Sequence, residues 1–190
     1  MASEQIPAPL ADFVSAVRAL WQEPLGESER WARVAELLPM LLESKAIQDL
    51  AKGWPQPPEN HPRPQNLLFY EDPDYRFVVN GLVKRPGEAT PLHDHAHTWT
   101  VYSVLEGEEK VVRYRQDGGA LAEEGVYTVR PGFIDIVPPR MIHAEFAGPA
   151  RTVALIIRSE RVGGFPQRRF DAKTGAESAA PGPEQVPYTL

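Results

Sequence analysis

The sequence predicts a mainly β sandwich or small barrel preceded by two or three α-helices. Three observations carry this. Up to about Leu50, apolar residues recur at helical spacing. From Gln65 to Arg158 the chain changes to short apolar runs separated by turn signals. Within that second part, three histidines are spaced so that strands could bring them together.

Leu10, Phe13, Val14, Val17, Leu20 and Trp21 define the first helix, with Pro9 suited to its first turn. A second helix is expected after Ser28, with Trp31, Val34, Leu37, Leu38, Leu41 and Leu42 on one face. Ile47 and Leu50 fit a third, shorter helix ending near Gly53. Residues 53–64, GWPQPPENHPRP, read as a proline-rich connector wrapped over the body, and His61 within it as a solvated loop histidine. The expected strands are Gln65–Tyr70, Tyr75–Val83, His97–Leu105, Lys110–Gln116, Gly125–Val129, Ile134–Val137, Ile142–Phe146 and Thr152–Arg158. Many short strands at such spacing indicate a sandwich or small barrel. Residues 161–190, above all FDAKTGAESAAPGPEQVPYTL from Phe170, are poor in apolar side chains and are expected to drape over the surface. The expected organisation is one domain over 1–190: a helical segment 1–52, the connector, a barrel over 65–160 and a tail.

At 190 residues the chain can bury one core, and 42% hydrophobic with 24% charged residues is an ordinary globular balance. A net charge of -6 without any basic block argues against nucleic acid or an anionic membrane as partner. No run approaches the roughly 20 apolar residues of a membrane span, and MASEQIPAPLADF has no secretory pattern. Without cysteine there is no disulfide, thiolate ligand or thiol nucleophile, which fits a cytoplasmic location.

The stretch Gly87 to Gly107 reads GEATPLHDHAHTWTVYSVLEG and carries His93 and His95; Gly132 to Ala147 reads GFIDIVPPRMIHAEFA and carries His143. Residues i and i+2 on a strand face the same side. If Ala89 to His97 is extended, His93 and His95 project together, and His143 from a later strand completes a three-nitrogen metal site with open positions. The competing reading is three satisfied structural histidines. Three neutral imidazoles leave a divalent ion its full charge, whereas a two-histidine, one-carboxylate set lowers it by one. Such a site favours anionic substrate atoms: thiolate, enolate or carboxylate.

These segments resemble the paired motifs of the cupin superfamily, G-x5-H-x-H-x3,4-E-x6-G and G-x5-P-x-G-x2-H-x3-N. Gly87, His93, His95 and Gly107 match the first, with Thr100 in the glutamate slot. Gly132, Pro138 and His143 match the second, with Arg140 in place of glycine and Ala147 in place of asparagine. The resemblance implies a jelly-roll cupin barrel, the double-stranded β-helix, behind the helices.

The helical preface, PQNLLFYEDPDYRF, TPLHDH and RRFDAKTG are together similar to the thiol dioxygenases, which act on cysteine or 3-mercaptopropionate. That similarity implies Fe(II) on His93, His95 and His143, with thiolate and O2 in the open positions and both oxygens passing to sulfur as a sulfinate. Gln65 then falls at the position of a substrate clamp, and Arg168 or Arg169 at that of an accompanying cation. The family's Ser-x-His-x-Tyr relay is replaced by Ala154, Ile156 and Arg158, and Thr100 stands where some members carry a cross-linked cysteine.

Among the remaining residues, His97 continues the alternation and is a candidate beside the metal. Arg158, if inward, would bind a carboxylate bidentately. Trp99, Tyr102, Phe133 and Ile156 would give apolar pocket walls if they face inward. Asp94 should point away from the ligands as a structural acceptor. The functional expectation is an Fe(II)- and O2-dependent enzyme of a small thiol-carboxylate, with nickel, zinc or manganese as other occupants. A dioxygenase of a diketone or phenol, and a metal- or anion-binding cupin without turnover, stay open. Fold analogy alone allows a homodimer.

Overall fold

The computed structural model describes residues 6–59 and 64–190, so His61 lies outside the described residues. Four helices come first: α1 (Ala8–Leu20), α2 (Glu27–Leu37), α3 (Pro39–Leu42) and α4 (Lys45–Ala51). Proline is tolerated in the first turn of α1 because the first N–H groups of a helix have no intrahelical acceptor. Leu10, Phe13, Val14, Val17 and Leu20 form its buried stripe. The expected second helix is divided in two. Pro39 lacks an N–H and its ring clashes with the preceding turn, so α2 stops at Leu37 and α3 starts afresh. Ser44 caps α4, its hydroxyl accepting from the Ile47 N–H.

Eight strands fall on the expected runs: β1 (Gln65–Glu71), β2 (Val78–Lys84), β3 (Thr100–Glu106), β4 (Glu109–Asp117), β5 (Ala120–Val129), β6 (Ile134–Val137), β7 (Ile142–Ala147) and β8 (Thr152–Arg158). The C-terminal segment adds β9 (Pro166–Phe170), β10 (Glu177–Pro181) and β11 (Gln185–Pro187). The surface drape expected for 161–190 is therefore corrected. Strand β11 pairs in parallel with β1, and β9 pairs with β10. Backbone pairing needs no apolar side chains, so this segment gives no hydrophobic period to read.

One sheet has the order β11-β1-β2-β8-β3-β6. Facing it are β5-β4-β7 and the β9–β10 hairpin. Residues 89–93 join these two pieces through bridges of Ala89 to Phe146 and of His93 to both His143 and Arg169. The result is a double-stranded β-helix with helices packed on the outside of the large sheet.

Strand alternation sorts the side chains into two cores. Val79, Val83, Val101, Val153, Leu155 and Ile157 point outward and pack with Phe13, Trp31, Val34 and Leu38 of the helices. Leu82, Tyr102, Val104, Val111, Ala154 and Ile156 point into the barrel. Strands β2 and β8 are buried on both faces for this reason, unlike a sheet with one side in water. Gly81 marks the tightest point of the outer layer, where a Cβ would come within 2.5 Å of the Phe69 ring.

Candidate metal centre

His93 and His143 are held opposite each other by backbone pairing. The His93 N–H donates to the His143 carbonyl at 3.0 Å, and the His143 N–H returns the bond at 2.9 Å. Leu92 anchors the His93 segment against Ile142, Ala144 and Phe170. His95 follows two residues later. The ligating nitrogens of His93, His95 and His143 lie within 4.8 Å of one another.

Each ring has its Nδ1 committed. His93 Nδ1 is 2.8 Å from the Pro91 carbonyl and His143 Nδ1 2.9 Å from the Met141 carbonyl. A carbonyl only accepts, so both rings carry the proton on Nδ1 and present a lone pair at Nε2. His95 Nδ1 lies 3.2 Å from Thr100 Oγ1, which leaves its Nε2 facing that of His93 at 3.2 Å. Two donor atoms on metal bonds of about 2.1 Å are about 3.0–3.4 Å apart at angles of about 90–110°. Among the described residues the buried His143 Nε2 has no hydrogen-bond partner. Three converging imidazole nitrogens could hold a metal ion.

Burial first, and then the neighbouring His143, hold His93 down to about 3. Burial, then Arg158, hold His95 well below its ordinary value. Both imidazoles are neutral at pH 7, as metal ligation requires.

Thr100 occupies the motif's glutamate position and serves the centre through His95, fixing that ring's rotation. Replacing Thr100 by valine should weaken Co(II) binding by roughly tenfold, the lower end of what lost ligand-orienting contacts cost. A competition titration checks this; unchanged affinity would show that the hydroxyl orients nothing.

The motif glycines and their substitutes explain the local shape. Gly107 turns between β3 and β4 at φ 82°, where a Cβ would sit 2.5 Å from the Arg151 carbonyl. Arg140, in the second motif's glycine slot, still adopts the left-handed conformation at φ 62°, and so does Ala96 at φ 53°. The Arg140 N–H donates to the Ala96 carbonyl at 2.8 Å, tying the loops behind His95 and His143 together. Left-handed backbone costs a non-glycine residue roughly 1–2 kcal/mol, and both residues carry it beside the centre.

The turn at Ala96 also corrects the expectation for His97. The strand alternation ends there, and the His97 side chain is 62% exposed, paired with Glu160 at 2.5 Å and packed against Phe165. It lies outside the cavity that contains the three imidazoles, so no role beside the metal follows.

That cavity has a volume of about 320 Å³. Of the expected residues, Tyr102, Ile156 and Arg158 line it together with the histidines. Trp99 does not. Alternation turns it toward the core beneath the helices. Phe133 is exposed. Gln65 also faces away, and its neighbour Asn66 takes the inward place on β1. Arg168 is drawn off by Asp94 at 2.6 Å and Glu177 at 3.3 Å, while Arg169 lines the cavity instead. Asp94 is the structural acceptor expected of it, receiving also the Ala96 N–H at 3.0 Å.

Arg158 is buried at the end of β8, opposite Thr100 in register. Among the described residues its Nε and Nη1 have no partner, nor do Asn66 Oδ1 and Gln167 Nε2, and all three residues line the same cavity. Burial pushes the guanidinium down to about 10, only partly offset by Glu145, so it stays charged at pH 7.

Sequence reasoning missed a second polar group on this wall. Lys84 Nζ bonds to Glu145 Oε2 at 2.7 Å and to Glu109, whose other oxygen accepts from the Tyr102 hydroxyl. Burial alone would raise Glu145, but Lys84 and then His143 outweigh it and hold its carboxyl well below the usual range. Burial raises Glu109, offset only in part by Lys84. Glu145 thus carries the firmer negative charge. The inward alternation of Lys84 with Leu82, and of Glu145 with His143, was the available signal.

The topology is a double-stranded β-helix, and three histidines inside the barrel could hold a metal ion. No protein-family model matches the chain. Solved structures resemble it in fold. A Thermus thermophilus protein is 21% identical over 60% of this chain and 95% of its own, with a TM-score of 0.47. A Klebsiella pneumoniae protein with a double-stranded β-helix domain is 20% identical over 69% of this chain and 87% of its own, at 0.43. An oxalate oxidase is 21% identical, at 0.37, over 44% of this chain. This chain spans 42% of that oxidase, less than half its length. Among the described residues, no helix is long and apolar enough to cross a membrane.

Proposed function

We propose that the protein is an Fe(II)- and O2-dependent oxidoreductase of the thiol dioxygenase type, acting on a small thiol-carboxylate such as 3-mercaptopropionate or cysteine. The observation that carries this reading is the unpartnered, buried Arg158 guanidinium lining the same cavity as the three converging imidazoles. The centre would take an electron-rich atom, and Arg158 beside His95 would take a carboxylate.

Iron bound by His93, His95 and His143 would supply the redox chemistry and the open positions in which a thiolate and O2 react. The balance is R–S⁻ plus O2 giving R–SO2⁻, with sulfur oxidised and both oxygen atoms reduced onto it. The chain's own residues bind and orient. Arg158 holds the carboxylate through its free N–H groups, Asn66 and Gln167 add polar contacts, and Ile156 and Tyr102 keep the wall around the sulfur tight. Gln167, Arg169, Pro181 and Pro183 of the C-terminal segment also line the cavity and would help to keep water from the substrate.

Oxygen uptake by the iron-loaded protein with 3-mercaptopropionate, cysteine and a panel of diketones and phenols tests the reading. Uptake with a thiol, with sulfinate as product, is the expected result. Uptake with the diketones or phenols alone would replace the thiol by a carbon substrate, a reading that Ile156 in place of the relay histidine favours. Iron binding with no turnover would leave a binding module. Replacing Arg158 by methionine should raise KM for a thiol-carboxylate by about 10–150-fold, the equivalent of roughly 1.5–3 kcal/mol for hydrogen bonds to a charged group. Iron content should not change. A KM equal to that of the wild type would remove Arg158 from substrate binding.

A further inference from the structure

We propose that Glu145 is a fourth protein ligand of the metal centre, delivering from β7 the carboxylate that the first histidine motif lacks at Thr100. The inference rests on the metal-centre reading and goes beyond it in the ligand set.

Glu145 follows His143 by two residues on β7, so both side chains project from the same face. Its backbone is fixed on both sides: the Glu145 N–H donates to Thr90 Oγ1 at 2.9 Å, and the Thr90 N–H donates to the Glu145 carbonyl at 2.9 Å. The carboxylate is held at one end only. Lys84 binds Oε2 at 2.7 Å, and Oε1 is turned toward the orphaned His143 Nε2 at 3.7 Å. Neighbouring ligand atoms on bonds of about 2.1 Å lie about 3.0–3.4 Å apart, so Oε1 stands a few tenths of an ångström beyond that spacing from His143 Nε2 and reaches the three-nitrogen cluster by turning its side chain.

Charge balance favours this placement. Three neutral imidazoles would leave a divalent ion its full charge in a cavity that already holds the buried Arg158, while Lys84 is offset by Glu109 and Glu145. Buried charge without a counter-charge is expensive. A carboxylate anchored by Lys84 and touching the ion through its free oxygen offsets that cost. Thr100 cannot do so, because its hydroxyl is engaged with His95 Nδ1.

Titration of the metal-free protein with Co(II) tests the ligand set without turnover, read as affinity and as the visible d–d spectrum. The expected result is that Glu145→Gln weakens Co(II) binding at least tenfold and shifts the d–d bands, while Glu109→Gln leaves both unchanged. Equal affinity and spectrum in Glu145→Gln and wild type would overturn the proposal and leave Glu145 as the counter-ion of Lys84 alone. Should Glu145→Gln fail to fold, Glu145→Asp keeps a charge for Lys84 but shortens the reach. The same loss is then expected, and wild-type binding by Glu145→Asp would count against ligation. A wild-type protein that binds no Co(II) would overturn the metal-centre reading itself.

Discussion

Replacing His143 by alanine is expected to abolish stoichiometric metal binding while leaving the barrel folded. The imidazole contributes one of three converging nitrogens, and its Nε2 has no other partner in the fold. Backbone hydrogen bonds, not the ring, pair residue 143 with residue 93, so alanine keeps that pairing. Structural zinc sites in zinc-finger peptides bind with roughly 10–16 kcal/mol, about 3–5 kcal/mol for each of three ligands. On that scale losing one ligand costs on the order of 10²–10⁴ in affinity, at about 1.4 kcal/mol per tenfold. Elemental analysis after gel filtration, together with a Co(II) titration, measures this. Full metal content at unchanged affinity would mean that the three imidazoles do not share an ion.

Lys84→Met should produce a large loss of stability. The Lys84 side chain is 1% exposed and bridges Glu109 and Glu145. Burial alone would lower it, but Glu109 and then Glu145 raise it to about 12 from 10.5. Its contribution is therefore complete below pH of about 10.5 and disappears as pH rises through about 12. Methionine preserves much of the volume but strands two carboxylates without a cation. Breaking a buried ion pair in this way costs about 3–5 kcal/mol. For a chain of this size that lowers Tm by roughly 6–20 °C. Glu109→Gln added to Lys84→Met removes one of the stranded charges and should recover part of the loss. A single variant that melts with the wild type would show that the cluster holds no net charge worth pairing.

The three candidate ligands were legible because strand geometry is local. A spacing of two marks His93 and His95 as a pair on one face where the chain is extended, and the glycine offsets around them announce the turns. The eight strands of the barrel were readable for the same reason, from period-two texture between turn residues. His97 shows the limit of that logic. One left-handed residue, Ala96, ends the alternation, and alanine gives no sign that it will adopt that conformation. Gln65 and Arg168 each lie one residue from the side chain that lines the cavity, Asn66 and Arg169, because a single-residue change of register exchanges the two faces of a strand.

By itself the sequence determined a helical preface, the strand runs of a barrel and the His93–His95 pair, since each depends on spacing along a single short stretch, whereas the pairing of His143 with His93 is long-range. Only the tertiary structure decided that Lys84, Glu109 and Glu145 form one charged group, that Arg158 faces the centre unpaired, and that residues after 161 build strands and line the cavity. Those facts join residues far apart in the chain. Buried charges find partners across strands, and β pairing is selected by backbone hydrogen bonds that leave no periodic mark on the side chains.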